Sequence, residues 1–238
     1  MGGALHVGTS GFAFPQWKGH FYPAGLRDRE MLAYYAGRFD TVEINYTFRR
    51  VPEEKTLVAW RDTTPAGFVF ALKANQLITH FARLSDVRGA REFLELAGTL
   101  GDRLGPVLFQ CPPNLVFERD RIVAFLEGLP TGGRYAFEFR HPSWEEAKGL
   151  LAERSATWCI AETDDSPAPA DALVGTPGFA YLRLRRTAYD DDAIRSWAER
   201  IVTTRASGTD VFCYFKHEEA AGPRFAERLI ELAAGDVT

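Results

Sequence analysis

Cysteines are few in this sequence, and long apolar stretches are absent. The 238 residues include Cys111, Cys159 and Cys213, an odd number without a C-x-x-C pair, so neither a disulfide framework nor a cysteine zinc site is indicated. Uninterrupted apolar runs such as Phe68–Leu72 hold five residues, far fewer than the roughly 20 of a membrane-spanning helix. The first residues also lack the basic and apolar segments of a secretory signal. We expect a cytoplasmic protein with reduced thiols and no membrane contact.

An excess of basic residues is also missing. The chain has 28 Lys and Arg residues against 32 Asp and Glu residues, a net charge of −4. A general attraction to a phosphate backbone is therefore not expected, and nucleic acid is not favoured as a partner. No nucleophile elbow, P-loop, dinucleotide fingerprint or H-E-x-x-H spacing occurs. The classes that these motifs mark, namely α/β-hydrolases with a serine nucleophile, P-loop NTPases, dinucleotide-binding proteins and zinc proteases, have no support.

Eight short apolar runs alternate with stretches of helical periodicity, which is typical of repeated βα units around a parallel sheet. The runs are Leu5–Val7, Val42–Ile44, Phe68–Leu72, Pro106–Phe109, Tyr135–Phe139, Trp158–Ala161, Phe179–Leu182 and Val211–Phe215. Successive runs are separated by about one helix and two loops. This pattern predicts an eight-stranded parallel (β/α)8 TIM-like barrel. A barrel closes only with all of its strands, so residues 1–238 are predicted to form a single domain.

The segments between the runs differ in one place. Ile122–Leu129 and Ile194–Ile201 place apolar residues at i, i+3, i+4 and i+7, which predicts helices with one face on the barrel. Ser166–Gly178, in contrast, contains three prolines and two glycines and has no room for a full helix. We expect an irregular unit, a loop or a short turn, after strand six.

Six motif groups accompany these runs. They are Gly8-Thr9-Ser10-Gly11, Trp17 with Phe21-Tyr22-Pro23, Thr41-Val42-Glu43-Ile44-Asn45 with Thr47-Phe48, Phe70-Ala71-Leu72-Lys73 with Ile78-Thr79-His80, Leu104-Gly105-Pro106 with Phe109-Gln110 and Pro112-Pro113, and Phe137-Glu138-Phe139-Arg140 with Ser143-Trp144. Together they resemble the YecE-like family, domain of unknown function 72. The resemblance runs from about Leu5 to past Leu229. It implies a TIM-like barrel and no particular reaction.

The resemblance weakens late in the chain. Arg185-Arg186 stands after strand seven, where the family tends to have His-Gly. Lys216-His217 stands after strand eight, where an Asn-rich turn is common. For this part of the barrel opening, the function of the residues is therefore inferred from their own chemistry and not from the resemblance.

Polar residues at the C-terminal ends of the strands are the candidates for function, because active sites of TIM barrels lie there. Side chains alternate along a strand. Since Phe137 and Phe139 are expected to face the helices, Glu138 and Arg140 face the barrel interior. The same alternation and the strand ends add Glu43, Asn45, Lys73, Gln110, Arg183, Arg185 and Lys216.

These side chains offer acid–base groups and cations. Glu138 and Glu43 can act as acid and base, while Lys73, Arg140 and Arg183 form a clamp for a small anionic or sugar-like substrate. An isomerase, a lyase or a hydrolase fits equally, and the leading hypothesis uses no cofactor. The alternative is a structural layer of ion pairs, since a buried carboxylate needs a partner.

The predicted site residues fall into two groups. The predicted catalytic residues are Glu138, Glu43 and Lys73. The predicted substrate-binding residues are Arg140, Arg183, Asn45, Gln110, Ser10, Thr9, Trp17, His141 and Lys216.

Three further predictions for the site each have a structural alternative. Main-chain amides of Thr9-Ser10-Gly11 form either an anion-binding turn or a plain turn. The aromatic first loop, which contains Trp17, either stacks on a sugar or base or packs down on the barrel. His141 serves either in the site or locally, beside the helix that follows it.

Two other function classes stay open. A metal-dependent sugar isomerase or endonuclease-like barrel would take one ligand from each of several strands, so no local motif would reveal it. Basic residues nearby oppose a divalent metal. The third class is a non-catalytic protein that binds a metabolite or docks a partner. The sequence does not determine the oligomeric state. The candidate metal ligands are Glu43, Glu138, Glu162, Asp164 and His217.

Overall fold

Eight strands alternate with helices along the computed structural model, which describes residues 2–176, 178–216 and 220–235. Each apolar run predicted as a strand is a strand, with ends that differ by one or two residues in most cases. The strands are β1 (Leu5–Thr9), β2 (Thr41–Ile44), β3 (Val69–Lys73), β4 (Leu104–Gln110), β5 (Tyr135–Glu138), β6 (Ala156–Glu162), β7 (Phe179–Leu184) and β8 (Asp210–Phe215).

In the described ranges, eight α-helices lie between or after these strands. They are α1 (Met31–Ala36), α2 (Tyr46–Arg49), α3 (Glu54–Thr63), α4 (Val87–Ala97), α5 (Arg119–Gly128), α6 (Ala147–Glu153), α7 (Asp191–Ala206) and α8 (Gly222–Gly235). The predicted helical stripes lie on α5 and α7. The described residues between β6 and β7 contain turns and no helix, which confirms the irregular unit. No helix in the described ranges is both long and apolar enough to cross a membrane.

All eight strands belong to one parallel sheet with the order β1-β8-β7-β6-β5-β4-β3-β2. The sheet curls into a nearly closed barrel, and the predicted TIM-like fold is confirmed. Inside the barrel lies a small apolar cluster, and a larger one lies between the strands and the helices. The interior cluster comprises Ala71, Leu108, Ala136, Cys159, Phe179, Tyr181, Phe212 and Tyr214.

The seam between β1 and β2 is joined by a side chain. The Tyr35 hydroxyl of α1 accepts a hydrogen bond from the Thr9 main-chain N–H (2.8 Å) and donates one to the Thr41 carbonyl oxygen (3.2 Å). The strands approach so closely that a Cβ on Gly8 would lie 2.2 Å from the Thr41 carbonyl oxygen. Glycine is therefore required at this point of the seam, and Tyr35 supplies the hydrogen bonds that join the two strands there.

Tyr35→Phe is expected to lower the free energy of unfolding by about 1–3 kcal/mol, because a buried N–H and a carbonyl lose their shared partner. Chemical denaturation measures the change. Tyr46→Phe is the matched control, since the Tyr46 side chain is exposed, and its expected change is small. Equal losses in the two variants would contradict the role of the Tyr35 hydroxyl in the seam.

Candidate functional site

Three charged side chains form a buried layer above the apolar interior of the barrel. Arg183 of β7 donates from Nη2 to Glu43 Oε1 (3.0 Å) on β2 and from Nη1 to Glu138 Oε2 (2.5 Å) on β5. All three residues are at most 2% exposed. We call Glu43, Glu138 and Arg183 the charged layer. Strand alternation correctly placed each of them inside the barrel, and the guanidinium lies between the two carboxylates.

Neutral groups complete the charged layer on both sides. The Tyr181 hydroxyl donates to Glu43 Oε2 (2.8 Å), and Asn45 Nδ2 donates to Glu43 Oε1 (3.1 Å). Gln110 Nε2 donates to Glu138 Oε1 (2.7 Å). Both carboxylates are therefore held by hydrogen bonds in addition to their ion pairs, which is the condition for burying a charge.

Arg140 binds the outer side of the charged layer. Its Nε and Nη2 atoms lie 3.0 and 2.9 Å from Glu138 Oε1. The Arg140 side chain is 46% exposed, in contrast to the 1% of Arg183. Arg140 thus connects the buried carboxylate to the open end of the barrel, and part of its guanidinium stays accessible there.

The electrostatics keep both carboxylates ionised. Burial by itself raises the pKa of Glu138, but Arg183 and Arg140, with the hydrogen bonds of Arg183 and Gln110, lower it to about 2. Burial also opposes ionisation of Glu43, whose pKa is nevertheless lowered by Arg183 and Tyr181. Neither carboxyl group therefore carries a proton that it could donate near neutral pH. The acid–base role assigned to them from the sequence stays a prediction, and this environment favours a positioning role.

Lys73 is the neighbouring cation at the end of β3. Its side chain is 9% exposed, and Nζ lies 3.8 Å from the centroid of the Phe48 ring. Within the described part of the chain, Nζ forms no ion pair or hydrogen bond. Burial, followed by repulsion from Arg183, lowers the pKa of Lys73 to about 8, against the attraction of Glu43 and Glu138. Lys73 can therefore exchange a proton near neutral pH.

Arg185 is a second cation without a paired carboxylate. It stands two residues beyond Arg183, just past the end of β7, and is half-buried. Among the residues described, its guanidinium forms no hydrogen bond or ion pair. Burial, then Arg183, lowers the pKa of Arg185. The candidate list from the sequence did not assign Arg185 to a binding role, although its spacing from Arg183 was sufficient to place it on the same face.

His80 was also missing from the candidate list. It lies in a π-helical turn, Leu77–Phe81, that follows β3, and its ring packs edge-on against Phe48 at 4.9 Å. Such turns are frequent at functional sites. Burial, followed by the charges of Lys73 and Arg140, lowers the pKa of His80. His80 is therefore neutral near pH 7, and the motif Ile78-Thr79-His80 was the sequence signal for it.

A groove of about 430 Å³ opens beside the charged layer, between the loop after β1 and helix α3. Asn45 lies between the groove and the charged layer. Its Nδ2 donates to Glu43 Oε1 in the charged layer and to the carbonyl oxygen of Ser10 (3.3 Å), which lines the groove. The Ser10 hydroxyl is buried without a hydrogen-bond partner among the described residues. The groove is lined by Ser10, Gly11, Phe12, Ala13, Phe14, Ile44, Asn45, Tyr46, Thr56 and Trp60.

The amide turn proposed at the end of β1 is not formed. The Thr9 N–H donates to Tyr35, the Ser10 N–H donates to the Phe215 carbonyl oxygen (2.9 Å), and the Gly11 N–H donates to the Thr9 carbonyl oxygen (2.9 Å). Thr9 is fully buried. These amides close the barrel and the turn, so they are not available to an anion.

Two other predicted binding residues, Trp17 and His141, are engaged in contacts within the protein. Trp17 is fully buried and packs against Phe14 and Phe21, so the aromatic loop lies down on the barrel and Trp17 cannot stack on a ligand. His141 caps the turn that follows β5, and its Nδ1 accepts a hydrogen bond from the Ser143 main-chain N–H (3.3 Å). The local role of His141 is thus the one observed.

The last predicted binding residue lies at the end of β8. Lys216 follows the strand directly, and its main-chain N–H donates to the Leu184 carbonyl oxygen (2.9 Å). This bond continues the pairing of β7 with β8 by one residue. Lys216 is therefore at the end of the barrel that holds the charged layer, as the sequence predicted.

The four candidate metal ligands that the structure describes, Glu43, Glu138, Glu162 and Asp164, are not brought together. Glu162 accepts a hydrogen bond from Trp197 Nε1 (3.2 Å) on helix α7, and Asp164 accepts from the Thr187 hydroxyl (2.6 Å). Glu43 and Glu138 are separated by Arg183, and His217 lies outside the described residues. In the described ranges, no three His, Cys, Asp or Glu side chains are grouped as metal ligands. The donor set does not fit a metal.

Comparisons with known proteins agree with this fold. No curated protein matches the sequence. A DUF72 family protein from Thermotoga maritima has a TM-score of 0.78 and 24% identity, covering 98% of this chain and 100% of that chain. One from Enterococcus faecalis has a TM-score of 0.77 and 18% identity, covering 97% and 95%. A family model described as "Protein of unknown function DUF72" matches residues 6–237. Because this match spans nearly the whole chain, the protein belongs to the DUF72 family.

Proposed function

We propose that the protein is an enzyme that binds a small anion at the C-terminal end of its barrel, with Lys73 as the group that transfers a proton. The observation that carries this proposal is that the buried Lys73 and the half-buried Arg185 have no paired carboxylate among the described residues. Removing an unpaired charge from water is costly. A carboxylate or phosphate group on a ligand would offset that cost.

Each surrounding residue has a part in this proposal. Arg140 and Arg185 hold the anion, since a guanidinium presents paired donors to two oxygen atoms. Glu43 and Glu138 are positioning residues, because they fix Arg183 and are themselves held ionised. Lys73 has its pKa near 8, so it can gain and lose a proton during a reaction near neutral pH. An isomerase or a lyase that moves a proton next to a carbonyl or carboxylate fits this arrangement.

Sulfate is a suitable first probe, because its charge does not change between pH 6 and 10. Sulfate is expected to bind the wild-type protein, and Arg185→Met is expected to weaken binding by roughly 10- to 100-fold, the range of a lost charged hydrogen bond. Binding is also expected to weaken as the pH rises above about 8, because Lys73 loses its charge. Isothermal titration calorimetry measures both effects.

Arg195→Met is the matched control, since Arg195 lies half-exposed on helix α7 in an ion pair with Asp191. Its affinity for sulfate is expected to equal that of the wild type. Equal affinity in the Arg185→Met protein, or no sulfate binding by the wild type, would contradict the proposed anion site.

A further inference from the structure

Lys73 differs from the other lysines of the chain. There are five lysines in the sequence, Lys18, Lys55, Lys73, Lys148 and Lys216. Three of them form ion pairs with acidic partners, and their side chains are 30%, 81% and 54% exposed for Lys18, Lys55 and Lys148. Lys73 is buried and has no such partner within the described ranges. Among Lys18, Lys55, Lys73 and Lys148, the amine of Lys73 is thus the one that the fold withdraws from water without a carboxylate partner in the described ranges.

The main chain around Lys73 is firmly held. The Thr47 hydroxyl donates to the Lys73 carbonyl oxygen (2.6 Å), and the Ala74 N–H donates to the Leu108 carbonyl oxygen (2.9 Å). The Phe48 ring covers one side of the amine at 3.8 Å. The amine is therefore presented in a defined direction from the end of β3, against an apolar surface.

Burial is the largest effect that favours the neutral amine of Lys73. Arg183 and, more weakly, Arg185 act in the same direction, while Glu43 and Glu138 oppose them. Desolvation and a neighbouring cation are the two means by which a lysine is made nucleophilic toward carbonyl compounds. The same arginines are suited to hold a carboxylate on the molecule whose carbonyl group is attacked.

We infer that Lys73 is a nucleophile that forms an imine with a small anionic aldehyde or ketone, such as a 2-oxo acid. This inference rests on the proposed function, because the proposed anion site orients the carbonyl group. The Nζ lone pair attacks the carbonyl carbon, a C–N bond forms as the C=O π bond breaks, and the oxygen takes up a proton from the solvent while Nζ releases one of its own. Loss of water from this carbinolamine then gives the protonated imine, and addition of water reverses the reaction. No oxidant or reductant is consumed.

The neutral amine of Lys73 acts as the nucleophile, and the neutral ring of His80 carries the protons that the reaction releases and takes up. His80 packs on the same Phe48 ring that covers Lys73, so both groups contact this one side chain. The imidazole can accept the proton that the amine releases when the C–N bond forms, and it can return that proton to the departing hydroxyl. This assignment makes Lys73 the catalytic residue and His80 its proton carrier.

Reductive trapping tests the inference on the full chain. Glyoxylate, a small anionic aldehyde, is added with sodium cyanoborohydride at pH 7, and each lysine is then examined by peptide mass spectrometry for a carboxymethyl group. Lys73 is expected to be labelled roughly tenfold or more faster than Lys55 or Lys148, because a far larger fraction of its amine is unprotonated. Sulfate is expected to slow labelling at Lys73 alone.

The labelling rates of Lys73, Lys55 and Lys148 are compared within the wild-type protein, so this test does not depend on whether a variant folds. Labelling of Lys73 no faster than that of Lys55, in protein shown by calorimetry to bind sulfate, would overturn the imine while leaving the anion site intact. Fast labelling of Lys73 supports the imine. If it is insensitive to sulfate, the nucleophile is supported and its coupling to the anion site is wrong. The Lys73→Arg protein is expected to lose the label at position 73. Unchanged labelling of Lys55 and Lys148 in this variant shows that the reactivity of the surface lysines is preserved.

Discussion

Replacing Arg183 by methionine is expected to lower the free energy of unfolding by about 3–5 kcal/mol at pH 7, because two buried carboxylates lose their common partner. Glu43 and Glu138 are 0% and 2% exposed, so water cannot replace the guanidinium. Urea denaturation measures the loss. Arg88→Met is the control, because Arg88 forms a surface pair with Glu92, and such pairs contribute less than about 1 kcal/mol.

The pH dependence of the Arg183→Met protein separates electrostatics from packing. In the wild type, the pKa of Glu138 is lowered from 4.5 to about 2. Its contribution to stability is complete above pH 4.5 and is lost as the pH falls toward 2. Without Arg183, burial raises the pKa of both carboxyls, so the variant gains stability relative to the wild type on acidification. A difference between the two proteins that stays constant from pH 7 to pH 3 would contradict this explanation.

Lys73→Met is expected to give a more stable protein that has lost the anion site. The pKa of Lys73 is about 8 in the folded protein against an ordinary value of 10.5, and each unit corresponds to about 1.4 kcal/mol. At pH 7 the variant should therefore gain about 3–4 kcal/mol, measured by urea denaturation, and sulfate binding should fall below detection in calorimetry.

The size of this stabilisation depends on pH. The cost of Lys73 is fully present below pH 8, because the unfolded chain holds a proton that the folded protein resists. The cost disappears as the pH rises from about 8 to 10.5, so the wild type and the Lys73→Met protein should converge there. Lys55→Met, at an exposed lysine, is the control with little expected change. A destabilised Lys73→Met protein would show that Lys73 has a structural role.

Several features of the site follow from short-range patterns. Side chains alternate along a strand, and parallel strands of a barrel end on the same side. These two facts were sufficient to place Glu43, Glu138 and Arg183 inside the barrel and near one another. The absence of a helix after β6 followed equally from local prolines. Both kinds of prediction depend only on residues that are close in the chain.

Partner choice did not follow from those patterns. Arg183 was expected to hold a substrate, but it lies between two carboxylates. The guanidinium of Arg185, two residues further along, forms no ion pair among the described residues. The amides after Thr9 are used by Tyr35 and by β8, and Trp17 is buried under its own loop. Each of these outcomes depends on groups that are distant in sequence.

The sequence by itself determined the barrel, the strand ends and the identity of the charged residues that face its interior, because periodicity and strand direction are local properties of the chain. Only the tertiary structure decided which charges neutralise one another and which are left for a ligand. Glu43, Glu138 and Arg183 come from three strands, and ion pairing depends on distances of a few ångströms between them. Lys73 thereby remains buried and without a carboxylate partner among the described residues.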